Sequence, residues 1–219
     1  FVFQMFPFDR PTIDPVLMAL DARLGYDWAS FLRLLAEWPA FGQLLGWVYH
    51  WSLPKLVVVI VALAMLRRER ALHRFLWVGV AGLTVTVVIW QVLPSLGPST
   101  LHSIPAEASK IGLVVNADYA ARMMAYAVEG VPEIRPDLLM GVIAFPSFHM
   151  FMACMGFWFA RGTVVFPVVA VVCLLMIPAT LAHGGHHLVD LIAGMVLFSV
   201  LVAVVSRLLP DHDAAQEAP

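Results

Sequence analysis

The sequence predicts an all-α fold, a polytopic transmembrane helix bundle with interfacial helices, built as a single membrane-embedded domain over residues 1–219. Of those residues 61% are hydrophobic and only 13% charged, with mean hydropathy +0.86, a composition foreign to soluble domains. Apolar stretches recur at the length of ~20 residues that a helix needs to cross a bilayer. Between them stand connections punctuated by Arg, Pro and Gly.

Residues 1–43 are expected to form an interfacial N-terminal segment. Its first six residues read as the last turns of an apolar segment, which suggests a further helix upstream. Asp9, Arg10, Asp14, Asp21, Arg23, Asp27, Arg33 and Glu37 then supply too much charge for a span. Residues 44–66 make the first complete span, broken only by His50, Pro54 and Lys55, and Arg67, Arg68, Glu69, Arg70 and Arg74 follow. Residues 76–93 make the second, stopped by Pro94 and Gly97-Pro98, which cannot continue a helix. Residues 94–140 are long for a loop and hold Lys110, Asp118, Arg122, Glu129, Glu133, Arg135 and Asp137. Within them residues 116–128 read as a short helix lying flat on the bilayer. Residues 141–160, 163–181 and 188–209 complete five spans, and residues 210–219 read as a disordered tail. Cys154 and Cys173 lie in apolar segments and behave as small hydrophobes.

A net charge of -2 and the absence of a basic run with interleaved aromatics exclude a nucleic-acid partner. Lys and Arg are concentrated in short connections at Arg67, Arg68, Arg70, Arg74, Arg161 and Arg207. By the positive-inside rule those connections face the cytoplasm, and residues 94–140 become an extracytoplasmic substrate loop. The same alternation brings residues 183–190, His-Gly-Gly-His-His-Leu-Val-Asp, to the extracytoplasmic end together with residues 145–149, Phe-Pro-Ser-Phe-His. Ionisable groups at such a depth are costly and mark a site of chemistry.

His186 and Asp190 are four apart and share a helix face. A carboxylate there accepts a hydrogen bond from one ring nitrogen and leaves the other with a lone pair, the arrangement of a nucleophile. Ser147 and the amides after Pro146 open a helix, where an anion is favoured. His149, protonated, is placed to give a proton to a leaving oxygen. Nucleophile, orienting group, acid and anion cradle together describe phosphoryl transfer through a phosphohistidine. The plainer alternative is a set of interfacial histidines on a glycine turn. A metal site is a weaker one, since neither an H-E-x-x-H helix nor a Cys pair is present. Lys55 with His50 reads equally as a snorkelling interfacial pair, and Arg122 and Arg135 as solvated loop charges.

At these residues the chain resembles the type 2 phosphatidic acid phosphatase superfamily, whose second motif is P-S-G-H and whose third is S-R-x5-H-x3-D. The resemblance implies a six-helix core and metal-independent lipid phosphoryl transfer without a cofactor. It assigns the phosphohistidine to His186, its orientation to Asp190 and the acid to His149. Pro146, Ser147 and His149 match the second motif, with Phe148 where Gly is usual. The first motif, K-x6-R-P, aligned on Pro98, finds Gly97 at the Arg and Trp90 at the Lys, and Ala179-Thr180 stands at the Ser-Arg of the third. All three basic phosphate ligands are missing. A phosphomonoester dianion needs strong positive compensation, whereas a diester carries one charge, so a phosphodiester substrate is expected.

The pattern is most similar to the branch containing inositol phosphorylceramide synthases. That implies a membrane phospholipid as donor and a lipid hydroxyl, another alcohol or water as acceptor. Ser147, Phe148, His183, Gly185, His187, Lys55, Arg122 and Arg135 are expected to touch substrate, and Lys55, Lys110, Arg122, Arg135 or His183 are the candidates to replace the missing cations. A lipid phosphate phosphatase and a catalytically silent lipid-binding protein are the alternatives.

Overall fold

A computed structural model describes residues 2–133 and 141–209. Its described residues form helices and connections without strands. After a 3-10 turn at Val2–Met5 come α1 (Asp14–Arg23), α2 (Trp28–Ala36), α3 (Pro39–His50), α4 (Pro54–Met65) and α5 (Glu69–Val92). Two 3-10 turns, Pro98–Thr100 and Ala106–Ile111, lead to α6 (Ala117–Glu129), α7 (Phe148–Ala160), α8 (Phe166–His183) and α9 (Leu188–Leu208).

Local chemistry sets these boundaries. Proline, which lacks the donor a first-turn residue would waste, opens α1, α3, α4 and α8. Asp27, Asn116 and Ser147 cap α2, α6 and α7 by accepting the amides of Ser30, Tyr119 and Met150. Gly130, at φ +83°, ends α6.

α5, α8 and α9 are long and apolar enough to cross a membrane, and α3 with α4 reaches that length only as a pair bent by 53° at its junction, the form of a broken span or a re-entrant loop. The expected single span over residues 44–66 is therefore a broken pair, because Pro54 starts a new helix and places Lys55 in its first turn. The expected span over residues 141–160 is helical only from Phe148, after Pro146 and the Ser147 cap. α7 is thus a short apolar helix, surrounded by α4, α5, α8 and α9. It sits at the centre of the bundle, where Phe151, Met155 and Ala160 are fully enclosed. Gly82 on α5 admits the Phe151 ring, since a Cβ there would lie 2.1 Å from its Cζ. Around this centre Val80, Val88, Val168, Val171, Leu174, Val196 and Val200 point outward, an apolar surface suited to lipid.

The two ends of the bundle differ. At one, the Arg68 guanidinium donates to the carbonyls of Arg161 and Gly162, and Arg74 donates to that of Leu209, so the basic connections do share an end. At the other, α1 and α2 lie beside α9 and α8. There the charges expected at the interface are partly turned inward, with Asp14 and Asp21 buried on the same α1 face as Leu17. α6 falls within a residue of the expected 116–128 helix, and Met123 and Tyr126 pack with Phe6 and Trp90 in a second apolar cluster. The 210–219 tail and Arg135 lie outside the described residues.

Candidate active site

His149, in the first turn of α7, and His186, in the connection between α8 and α9, meet edge to face with ring centroids 5.9 Å apart. His149 also stacks on Tyr49 of α3, with ring centroids 4.6 Å apart. Gly184 lies close under this group, since a Cβ there would come within 2.7 Å of His186 Cδ2 and 3.1 Å of the Tyr49 ring. Sequence-distant helices thus deliver three aromatic side chains to one point.

His186 Nδ1 stands 3.1 Å from Asp190 Oδ2, and the same oxygen accepts the His187 amide at 2.9 Å. Asp190 Oδ1 has no hydrogen-bond partner among the described residues. Burial, then the neighbouring His187 charge, pushes the His186 pKa down to about 3, so its ring is neutral near pH 7. A neutral ring donating from Nδ1 carries its lone pair on Nε2. The Ser147 amide donates to the Asp190 carbonyl at 3.0 Å, which ties the start of α7 to α9. Phe148 is half-buried and stacks on Phe151.

His187 is held between two carboxylates that sequence reasoning did not place here. Its Nδ1 stands 3.0 Å from Asp21 Oδ2, and its Nε2 lies 3.5 Å from Asp14 Oδ1. Asp21 also accepts the first amides of α9, Leu188 at 3.1 Å and Val189 at 3.0 Å. Asp14 accepts the Ser95 hydroxyl at 2.6 Å and the amides of Leu96 and Gly97, each at 2.9 Å. Burial alone would lower the His187 pKa, but the contacts with Asp14 and Asp21, with the Asp190 charge, raise it to about 9. Against its own burial, the same contacts with His187, Ser95, Leu96 and Gly97 hold Asp14 below the usual carboxylate range. His187 is therefore an imidazolium flanked by carboxylates. The donors of the 95–97 turn and of the α9 N-terminus are already spent on internal anions. The signal in the sequence was the spacing of Asp14, Leu17 and Asp21, which puts all three on one helical face.

The missing motif cations have structural counterparts. At Gly97, with φ +89°, a Cβ would lie 2.1 Å from the Gly185 carbonyl oxygen, so no side chain fits where the motif has Arg. Gly185 itself, at φ +56°, packs on Val115. Trp90, at the Lys position, is buried and donates from Nε1 to the Ser95 carbonyl at 2.9 Å. Ala179 and Thr180 are enclosed within α8.

Other expected site residues lie apart. His183 is buried with Nε2 2.8 Å from the Gly42 carbonyl, and its ring fills the space left by Gly46, so the structure places it in the α3–α8 packing. Lys55 is buried below the site, donating to the Ser52 carbonyl at 3.1 Å, and it interacts electrostatically with His149. Arg122 is half-buried on α6. Among the described residues, His, Cys, Asp and Glu form no group of three arranged to hold a metal ion.

A family model described as the PAP2 superfamily matches residues 15–204. No curated protein and no solved structure matches the chain.

Proposed function

The chain belongs to the PAP2 superfamily, and from that premise we propose that it transfers a phosphoryl head group between membrane lipids through a phosphohistidine on His186. Membership supports a lipid phosphatase-like enzyme, of the phosphatase and phosphotransferase kind, in an integral membrane protein. The observation that carries the finer reading is the meeting of His149 and His186 at 5.9 Å, with Asp190 on His186 Nδ1.

In the proposed first step His186 Nε2 attacks phosphorus, forming an N–P bond as the P–O bond to the departing alcohol breaks. His149 gives its proton to that oxygen. In the second step the acceptor hydroxyl, or water, attacks phosphorus and passes its proton to His149, and the N–P bond breaks to restore His186. Asp190 holds the imidazole in position and stabilises the positive charge it gains on phosphorylation. The concentration of Arg at the opposite end of the bundle supports an extracytoplasmic site.

A phosphodiester substrate follows from the charges around His186. Asp14, Asp21 and Asp190 surround one imidazolium, and Gly97 leaves no room for a cation. A dianion entering this field would be repelled, while a monoanion is opposed less. A second reading, a phosphatase, is favoured by Lys55, a buried amine without an ion pair among the described residues. Purified full chain given labelled phosphatidic acid and labelled phosphodiester phospholipids in turn separates the two. Faster head-group release from the diesters is expected. Inorganic phosphate released from phosphatidic acid, with the diesters untouched, would overturn the first reading and support the second.

A further inference from the structure

A cavity of about 500 Å³ opens beside His187, walled by α1, α2 and the turn at Pro98. Asp21, Tyr26, Asp27, Trp28, His102 and His187 line it, while His149, His186 and Asp190 do not. Neither Lys nor Arg lines it. Asp21 is neutralised in part by His187, but Asp27 stands at the exposed mouth. There one Asp27 oxygen caps α2 through Ser30, and the nearest cation, Arg33, is 3.9 Å away and solvent-exposed.

The aromatic walls are fixed. Trp28 is buried and donates from Nε1 to the Leu181 carbonyl at 2.9 Å, and Tyr26 packs on Phe31. The Tyr26 hydroxyl is buried and has no partner among the described residues. A buried phenol oxygen without a partner is costly, and a ligand that donates to it, or presses a polarised methyl group on it, removes the cost. Aromatic faces beside carboxylates attract organic cations. An anion in the same place would meet two carboxylates, Asp21 and Asp27, against one imidazolium, His187, whose charge is already shared between Asp21 and Asp14.

The geometry points to a binding site for an organic ammonium group in this cavity, separate from the phosphoryl-transfer centre. The occupant is either a free small ammonium compound or the ammonium of a zwitterionic lipid head group, since the cavity lies at the end of the bundle that carries the interfacial helices. This inference does not depend on the reaction assigned above, because it is read by binding.

The test is titration of choline chloride into the full chain in nanodiscs, at constant ionic strength, followed by intrinsic tryptophan fluorescence and thermal stability. The neutral isostere 3,3-dimethylbutanol is the control. In nanodiscs of anionic lipid a saturable response to choline and none to the isostere is expected. Asp27→Asn keeps the α2 cap and removes the charge, and it should weaken choline at least about fivefold. Ala19→Phe, at an exposed cavity-lining position on α1, should abolish the response without loss of folding. A choline response lost in phosphatidylcholine nanodiscs identifies the lipid head group as occupant, and one retained there identifies the free cation. No saturable response to choline in either lipid, an equal response to the isostere, or full binding by both variants would overturn the inference.

Discussion

Raising the pH should loosen the protein through His187, and Asp21→Asn should change how. The His187 pKa lies at about 9 in the fold against an ordinary 6.5, because its close contacts with the Asp14 and Asp21 carboxylates outweigh burial. A raised folded pKa contributes stability that is complete below the unfolded value and is lost as the pH climbs through the folded one. The rise from 6.5 to about 9 corresponds to roughly 3 kcal/mol, lost between about pH 6 and pH 10. For a chain of this size that is a fall in Tm of roughly 6–12 °C. Asp21→Asn removes one of the two counter-charges and weakens the acceptor for Leu188 and Val189 at the head of α9. Breaking a buried pair in this way costs about 3–5 kcal/mol, so the variant should melt well below the parent at pH 6. Its alkaline decline should be smaller and begin at lower pH. The assay is thermal unfolding of detergent-solubilised protein across the pH range. A parent Tm that is flat from pH 6 to pH 10, or a variant with the parent's profile, would refute the reading of His187 as a buried imidazolium.

Three further outcomes follow from the same geometry. Gly97→Arg restores the basic residue of the first motif in sequence only; the positive φ alone predicts a loss of roughly 1–3 kcal/mol and the clash with the Gly185 carbonyl adds to it, read as a lower Tm, with no gain of phosphatidic acid hydrolysis. His149→Ala should lower turnover of lipid diesters by about 10²–10⁴-fold and lose far less on an aryl phosphodiester, whose leaving group needs no proton; equal losses on both would remove the acid from His149. Gly46→Ala should drive a methyl group to 2.8 Å from His183 Cε1 and lower Tm, and an unchanged melting curve would show that His183 is not confined by α3.

The apolar helices were legible because the bilayer leaves few choices: α8 and α9 begin and end within about three residues of the expected spans, where Pro and charged residues stand. The pairing of His186 with Asp190 was legible from their spacing, but not for the helical reason expected: His186 precedes α9, and Asp190 reaches back to it from the first turn of that helix. The break at Pro54 and the late start of α7 were not, because a proline at a helix start and a proline inside a span look alike without tertiary context. α1 shows a more general limit. Its acids were read as interfacial because charged residues usually face water, yet Asp14 and Asp21 turn inward, toward donors on the 95–97 turn, α9 and His187 that are far away in the chain. Tyr49 was hidden similarly, because its stacking on His149 depends on how α3 lies against the start of α7.

The central claim is tested most directly by trapping the covalent intermediate. Full chain mixed with a phosphodiester phospholipid labelled in its phosphate, quenched in denaturant at neutral to alkaline pH and digested, should yield one labelled peptide carrying phosphorus on His186, absent from His186→Ala. Turnover that continues in His186→Ala, or label found on another residue, would contradict the account.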